Sequence, residues 1–258
     1  MAAPSRPMKV LMLCGYLQTG RIFSGRLGNL RKATKDFAEL VFIDPPFVIE
    51  GEDNVDPEAP PLDTLKPEDY PRGWWMMRGE EGRRNYTNFD ECLTYVRDVL
   101  DKQGPFDAVF GFSQGAGLAA IVTALVEKPE LHPAFASCTH PPFRFSVIAA
   151  GFEPLDPRAS KLFYTPVKTP SLHIIGKADP IVVEERSLKL ADGFLDARVE
   201  FHDGGHFIPS KTPWKNFLKA YIQAFVNEEG AAARALAVPS PTPTPADPVD
   251  APVREVLT

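Results

Sequence analysis

Gly111-Phe112-Ser113-Gln114-Gly115 joins a short apolar run, Ala108–Phe112, to a longer one, Ala116–Val126. A serine with glycine two positions before and two positions after it, between a strand and a helix, is typical of a nucleophile elbow. The turn is so tight that side chains at the two outer positions would clash, which explains the glycines. The pattern predicts that Ser113 projects above a sheet at a helix N-terminus and acts as a nucleophile. The structural alternative is a glycine-rich turn with a capping serine.

These two runs belong to a longer alternation of strand-like and helix-like segments. The predicted strands are short and apolar: Lys9–Cys14, Leu40–Ile43, Ala108–Phe112, Val147–Ala150, Leu172–Ile175 and Val199–Phe201. The predicted helices carry apolar residues at helical spacing: Leu27–Ala38, Phe89–Leu100, Ala116–Val126 and Trp214–Val226. Such alternation predicts an α/β fold with a mostly parallel sheet and helices on both of its faces.

A nucleophilic serine needs a base, and the base needs an orienting carboxylate. On a chain with a nucleophile elbow, the acid and then the base follow the serine, each at the end of a strand. Asp179 directly follows Leu172–Ile175, and His206 lies in a loop directly after Val199–Phe201. These positions predict Asp179 as the acid and His206 as the base.

Other residues compete for both roles. The rival histidines are His132, His140, His173 and His202, and the rival acids are Asp156, Asp192 and Asp196. Two of these histidines precede the acid candidates and two lie within predicted strands, where packing or hydrogen bonding is the simpler role. Asp156 precedes a proline, as Asp179 does, and an ordinary turn aspartate is the structural alternative for Asp179.

An oxyanion hole needs two backbone donors, one after the nucleophile and one from the loop that follows an early strand. Gln114 N–H supplies the first donor by its position. Tyr16 N–H is expected to be the second, because Cys14-Gly15-Tyr16 ends the first predicted strand. Gly15 would let the backbone approach a substrate closely.

The composition excludes several classes of protein. The chain has 258 residues, 44% of them hydrophobic, with a net charge of −6 and three cysteines. A net negative charge does not favour binding to nucleic acid, which is itself negatively charged. No apolar run is long enough to span a membrane. The cysteines are too few and too far apart for a disulfide framework or a metal site. We therefore expect a cytoplasmic protein that needs no metal or other cofactor.

The C-terminal stretch differs from the rest of the chain. Residues 231–258 include six prolines and no aromatic residue. Such a segment buries too little apolar surface to offset the entropy of ordering it. The sequence therefore predicts one large α/β domain over residues 8–230, followed by a disordered Pro/Ala-rich tail over residues 231–258.

One internal segment also interrupts the alternation. Asp44–Pro71 holds seven prolines and nine acidic residues, which predicts an excursion over the surface. Trp74 and Trp75 follow at once. They could line a substrate pocket above the sheet, or they could anchor the excursion to the core, and the sequence leaves both readings open.

Taken together, the motifs resemble those of a known family, the fungal FSH-type serine hydrolases and the related ovarian-cancer-associated-2-like hydrolases. The resemblance covers roughly Lys9 to Val226. The segments that carry it are Leu13–Gly20, Leu30-Arg31-Lys32, Phe42-Ile43-Asp44, Trp74-Trp75, Gly104-Pro105-Phe106-Asp107, Gly111–Gly115, Gly151-Phe152, Thr169-Pro170-Ser171-Leu172-His173 and Gly204–Ser210.

The resemblance implies an α/β-hydrolase fold and a triad of Ser113, Asp179 and His206. It also implies hydrolysis of carboxylic esters or thioesters of small molecules. Some family members resemble thioesterases that release an acyl chain from a carrier domain, which makes such a domain the alternative partner. The net negative charge disfavours docking of an acidic carrier, although Arg78, Arg83 and Arg84 could form a local basic patch. A ligand-binding pseudo-hydrolase is the non-enzymatic alternative.

The chain departs from the family pattern at one position. Family members commonly have histidine before the glycine that ends the first strand, and here the residue is Cys14. A small buried residue at the end of a strand is expected at this position rather than a catalytic thiol.

Overall fold

The computed structural model describes residues 6–53, 58, 60–78 and 85–242. Its strands, in chain order, are β1 (Met8–Leu13), β2 (Ala38–Ile43), β3 (Phe47–Val48), β4 (Arg72–Gly73), β5 (Met76–Arg78), β6 (Asn85–Thr87), β7 (Ala108–Phe112), β8 (Phe145–Ala149), β9 (Ser171–Gly176) and β10 (Ala197–His202). Its α-helices are α1 (Gly20–Arg26), α2 (Gly28–Thr34), α3 (Phe89–Gln103), α4 (Gln114–Glu127), α5 (Pro157–Ser160), α6 (Glu184–Ala191), α7 (Thr212–Ala224) and α8 (Ala231–Leu236).

Six strands form one parallel sheet in the order β10-β9-β8-β7-β1-β2. Every residue of β7, β8 and β9 is buried. Side chains alternate between the two faces of a strand, so complete burial means that both faces are covered. The remaining strands pair as two short antiparallel ribbons, β3 with β4 and β5 with β6. The mostly parallel α/β-hydrolase sheet expected from the sequence is therefore confirmed.

The region after β1 differs from the sequence expectation. One helix was predicted over Leu27–Ala38, but the structure has two short helices, α1 and α2, and Ala38 begins β2. Thr19 starts the first helix, because its side chain accepts a hydrogen bond from Ile22 N–H at 3.3 Å. Such N-capping satisfies a backbone donor that the helix cannot satisfy itself. The added helix α1 forms one wall of the site described below.

The excursion between β2 and β5 follows the surface where it is described. None of residues 60–71 is fully buried. Tyr16 holds one part of it, because its hydroxyl donates to Asp53 O at 2.8 Å.

The expectation of a disordered tail from residue 231 is wrong for residues 231–242. The segment forms α8, packs against α7 and buries Ala235. Residues 243–258 lie outside the described residues, so disorder there stays a prediction.

Arg198 on β10 explains why a proline-rich segment without aromatic residues is ordered. Its guanidinium donates to the carbonyl oxygens of Ala235 at 2.6 Å and Val238 at 2.7 Å, and it pairs with buried Glu200 at 2.5 Å. Thr242 Oγ1 also donates to the backbone of β10. The segment was expected to be disordered from its composition, but Arg198 satisfies its backbone carbonyls through charged hydrogen bonds and Ala235 is buried.

Deleting this packed segment should destabilise the domain. A chain ending at Gly230 leaves the Arg198–Glu200 pair without its other partners, and we expect the melting temperature to fall by roughly 5 °C. A chain ending at Thr242 keeps every contact described here and serves as the matched control. Equal melting temperatures for the two truncations would contradict the role given to α8.

Candidate active site

Ser113 connects β7 to α4 with a backbone conformation that residues with side chains rarely adopt. Its dihedral angles are φ 54° and ψ −120°. Its N–H donates to Ala149 O of the neighbouring strand at 2.9 Å, and its carbonyl accepts from Gly117 N–H at 3.1 Å. Backbone strain of this kind persists only where the surroundings fix it, and it is common at functional sites.

The two glycines of the pentapeptide are required by contact with other backbone atoms. A Cβ on Gly111 would lie 2.1 Å from Gly115 O, and a Cβ on Gly115 would lie 2.3 Å from the carbonyl oxygens of both Leu13 and Cys14. These distances are far shorter than van der Waals contact, so no other residue fits without moving the backbone. The elbow geometry expected from the sequence is present.

The three residues expected to act together are joined by hydrogen bonds. His206 Nε2 lies 2.9 Å from Ser113 Oγ, and His206 Nδ1 lies 2.7 Å from Asp179 Oδ2. The side chain of Asp179 is 1% exposed and that of His206 is 15% exposed. A nucleophile, a base and an orienting carboxylate in a row have the geometry that serine hydrolysis needs.

Backbone contacts fix the acid and the base relative to each other. The second oxygen of Asp179, Oδ1, accepts from Ile181 N–H at 2.8 Å and Val182 N–H at 2.9 Å, so the carboxylate has a defined orientation. The loop that carries Asp179 also bonds to the loop that carries His206, through Ala178 N–H and Gly204 O at 3.1 Å.

The rival histidines all have other partners. Among their contacts are those of His132 with Asp90, His140 with Phe106 N–H, His173 with Ser171 and His202 with Gly204 N–H. Burial lowers the pKa of His173 to about 3, which keeps its ring neutral. None of these contacts involves the nucleophile.

Asp156, the rival acid, uses both carboxylate oxygens elsewhere. It accepts from Tyr86 N–H at 3.0 Å and from the Arg158 guanidinium at 2.8 Å, and it caps α5. Burial acts to raise the pKa of Asp156, but the hydrogen bonds from Arg158 and Tyr86 outweigh burial and lower it. Asp156 thus fastens β6 to the segment after β8.

The two expected oxyanion donors lie beside the nucleophile. A Cβ on Gly15 would be 3.3 Å from Ser113 Cβ, which places the loop after β1 against the elbow. Within the described part of the chain, neither Tyr16 N–H nor Gln114 N–H donates a hydrogen bond to a protein acceptor. Both donors are therefore available to a substrate oxygen.

The side chain of Gln114 has a role that the sequence did not suggest. Its Oε1 accepts from Trp74 N–H at 3.0 Å, and its Nε2 donates to Trp75 O at 2.7 Å. Trp74 in turn donates from Nε1 to Cys14 O at 2.8 Å. The residue that follows the nucleophile therefore ties the β4–β5 segment to the loop after β1.

These contacts favour the anchoring reading of the tryptophan pair. Trp74 is 0% exposed and Trp75 is 2% exposed, and Trp75 stacks on Tyr86 with ring centroids 4.9 Å apart. Neither residue lines the cavity beside the site. Trp74 and Trp75 anchor the excursion to the core, and the substrate-pocket reading is not supported.

Cys14 is the buried strand-end residue expected from the sequence. It is completely buried, and burial, with a smaller contribution from Asp44, raises the pKa of its thiol to about 12. Its Sγ contacts Gln18 O at 3.4 Å. A thiol with so high a pKa stays protonated and is a poor nucleophile.

A cavity of about 340 Å³ is lined in part by Phe112 and Phe207, the sequence neighbours of Ser113 and His206. Its lining residues are Phe23, Arg26, Leu27, Phe112, Phe207, Ile208 and Ser210. The ring of Phe112 is 5.0 Å from the ring of His206, centroid to centroid. This cavity was not expected from the sequence, because three of its residues belong to α1 and its C-cap. The signal that could have revealed α1 was Thr19 as an N-cap.

The described residues hold neither a candidate metal site nor a candidate membrane span. Across residues 6–53, 58, 60–78 and 85–242, no three His, Cys, Asp or Glu side chains come together as metal ligands would. In the same ranges, no helix is both long and apolar enough to cross a membrane.

Removing the carboxylate of Asp156 should cost stability. We expect Asp156→Ala to lower the free energy of unfolding by about 3 kcal/mol, because it leaves a buried N–H and a guanidinium without their partner. Urea unfolding measures this difference. Asp98→Ala is the control, because Asp98 makes only surface ion pairs, and its loss should change the stability far less than Asp156→Ala does. Unchanged stability of Asp156→Ala would contradict the fastening role.

The chain is similar in sequence to several known proteins. The human protein "Esterase OVCA2" is 34% identical over 231 residues, which cover 86% of this chain and 99% of that protein. The Schizosaccharomyces pombe protein "Dihydrofolate reductase" is 32% identical over 220 residues; the match covers 84% of this chain but only 47% of that protein, so this chain spans about half its length.

Among solved structures, Zea mays acyl-protein thioesterase 2 superposes with a TM-score of 0.52 at 16% identity, covering 88% of this chain and 97% of that one. At this identity the likeness concerns the α/β-hydrolase fold. The family model described as "Serine hydrolase (FSH1)" matches residues 2–218. The elbow at Ser113 lies within that match, and the chain belongs to the FSH1 serine hydrolase family.

Proposed function

We propose that this protein hydrolyses carboxylic esters or thioesters of small molecules through an acyl-enzyme on Ser113. Membership of a serine hydrolase family supports ester hydrolysis in general. The observation that carries the specific mechanism is the continuous row of hydrogen bonds from Asp179 through His206 to Ser113, at 2.7 and 2.9 Å.

In the first half of the reaction, His206 Nε2 takes the proton from Ser113 Oγ as the oxygen attacks the ester carbonyl. The C–O or C–S bond to the leaving group then breaks, and His206 returns the proton to the departing oxygen or sulfur. Asp179 keeps Nδ1 protonated and stabilises the imidazolium between these steps. In the second half, water repeats the attack on the acyl-enzyme and releases the acid.

The tetrahedral intermediate carries a negative charge on the former carbonyl oxygen. Tyr16 N–H and Gln114 N–H are the proposed donors, and both lie at the elbow with no protein acceptor among the described residues. Donors that are fixed before the reaction stabilise this charge without the cost of reorienting water.

The position of Tyr16 depends on the segment that Gln114 holds. A Cβ on Gly73, at the end of β4, would lie 2.8 Å from the Tyr16 ring, so the ring packs directly on that backbone. Trp74 also bonds to Cys14 O, one residue before Gly15. We therefore propose that the Gln114 side chain positions the donor on the opposite side of the oxyanion hole.

The carrier-domain alternative gains no support from the described residues. Arg78, one of the three arginines that could form a basic docking patch, pairs with Asp53 at 2.5 Å. Arg83 and Arg84 lie outside the described residues. A small-molecule ester is therefore the substrate class that we propose, and a cytoplasmic location remains an expectation.

The triad can be tested as a unit. Ser113→Ala should remove labelling by a fluorophosphonate probe and lower turnover of 4-nitrophenyl butyrate by on the order of 10⁴-fold or more. His206→Ala should cost about as much, and Asp179→Asn somewhat less, because it disturbs only the tautomer and orientation of the base. Ser137→Ala, at an exposed serine, is the control and should be labelled and active.

The double variant Ser113→Ala/His206→Ala distinguishes joint from independent action. It should be hardly worse than either single variant, because the two residues act in the same step. Additive losses, or probe labelling that survives Ser113→Ala, would contradict the mechanism; a chain that never labels would favour the pseudo-hydrolase.

The role of the Gln114 side chain has its own test. Gln114→Met keeps the backbone donor and the side-chain volume but removes both bonds to the tryptophan segment. We expect kcat to fall by about tenfold with a smaller change in KM, because the oxyanion donors lose their alignment. Gln223→Met, at an exposed site on α7, is the matched control. A loss confined to thermal stability, with kcat unchanged, would show that the side chain only anchors the segment.

A further inference from the structure

The cavity beside His206 is built from elements on both sides of the triad. Phe112 directly precedes the nucleophile, Phe207 directly follows the base, and Phe23 comes from α1. The rings of Phe23 and Phe112 are stacked with centroids 6.4 Å apart. A volume of about 340 Å³ is at the small end of ligand sites and suits a chain of several carbon atoms.

The lining of this cavity is apolar except at two positions. Arg26 is the one charged residue among its seven lining residues, and Ser210 is the other polar one. Arg26 is exposed to solvent, whereas Phe23, one turn earlier on the same helix, is buried. The cavity is thus lined mainly by apolar residues, with one exposed positive charge at Arg26.

Arg26 differs from the arginines near it in sequence because it has no partner. Arg21 pairs with Asp69, and Arg31 lies over the ring of Phe42 at 5.8 Å. Within the part of the chain that the structure describes, Arg26 makes no ion pair, side-chain hydrogen bond or ring contact. Its donors are therefore free to bind a ligand.

A cation in the last turn of a helix also interacts favourably with the helix dipole. That interaction is the same for arginine and lysine and does not depend on the cavity. A guanidinium, by contrast, presents a planar fork of donors that matches a carboxylate, and this match needs an anion beside it. Because Arg26 lines a cavity next to the proposed nucleophile, a ligand bound in this cavity can place its anion beside the guanidinium.

We propose that this cavity binds one arm of the ester substrate, and that this arm carries a carboxylate that pairs with Arg26. The inference rests on the proposed ester hydrolysis and narrows its substrate class to anionic esters of short chain length. The carboxylate could belong to the acyl arm, as in a half-ester of a dicarboxylic acid, or to the leaving group, as in an ester of a hydroxy acid.

Two pairs of substrates distinguish these sources. The acyl pair is the 4-nitrophenyl monoester of glutaric acid and the same compound with its free carboxyl methylated. The leaving-group pair is 4-carboxyphenyl butyrate and 4-(methoxycarbonyl)phenyl butyrate. For each pair, the ratio of kcat/KM for the anionic member to kcat/KM for the neutral member is measured at low ionic strength, because salt screens exposed charges.

The variants change the charge at one position. Arg26→Gln should lower the ratio about tenfold in one of the two pairs, because a charge-assisted hydrogen bond at an exposed rim is lost. Arg26→Glu should lower it further, and Arg26→Lys should preserve part of it. Dividing the ratio of the unaltered protein by that of Arg26→Gln removes the intrinsic difference in reactivity between the two substrates.

Lys32→Gln is the matched control. It removes the same charge from an exposed position on the next helix, α2, outside the lining of this cavity. It should leave both ratios and the turnover of neutral esters unchanged. An equal effect of Lys32→Gln and Arg26→Gln would overturn the proposal in favour of a general field effect.

The remaining outcomes separate this inference from the proposed function. A response in the acyl pair or in the leaving-group pair supports the proposal and assigns the arm. Hydrolysis of neutral esters that depends on Ser113, with no response of either ratio to Arg26, overturns the inference alone. Absence of any Ser113-dependent hydrolysis overturns the proposed function and this inference with it.

Discussion

The close approach of Gly115 to the end of the first strand is the contact on which the rest of the site depends. A Cβ on Gly115 would lie 2.3 Å from two backbone oxygens, those of Leu13 and Cys14. Because α4 can start this close to β1, the chain must turn sharply at Ser113, and its φ becomes 54°. The same contact brings the loop after β1 beside the nucleophile. One steric constraint therefore places both the serine and its proposed oxyanion donors.

The proposed triad spans the sheet, and main-chain bonds keep its members in register. Ser113 follows β7, Asp179 follows β9 and His206 follows β10, so β8 lies between the strands that carry Ser113 and Asp179. Parallel pairing aligns the ends of these strands at one edge of the sheet. The contact between the acid loop and the base loop, Ala178 N–H to Gly204 O, then fixes them more closely than the sheet alone. Such backbone contacts do not depend on which side chains the loops carry.

The sequence predicted the structure correctly where short local patterns, such as glycine spacing and apolar runs, determine the fold. The elbow and the strands around it follow from glycine spacing and apolar runs, and Asp179 and His206 follow from their places after strands. The helix α1 was missed because its cap, Thr19, is a weak local signal and its apolar residues are few. The ordering of residues 231–242 could not be expected either, since it depends on Arg198, about 40 positions earlier in the chain. The cavity combines residues from both ends of the domain, and no local pattern records such a combination.

The amide of Gln114 has a consequence for how this scaffold can change. It hydrogen-bonds to main-chain atoms of Trp74 and Trp75. The attachment therefore depends on the backbone conformation of the β4–β5 segment and not on the side chains of that segment. New side chains at the neighbouring, more exposed positions Met76 and Met77 would leave this attachment intact. Catalytic geometry and the chemistry of the nearby surface can therefore vary independently, and the segment is a natural place for relatives of this enzyme to diversify.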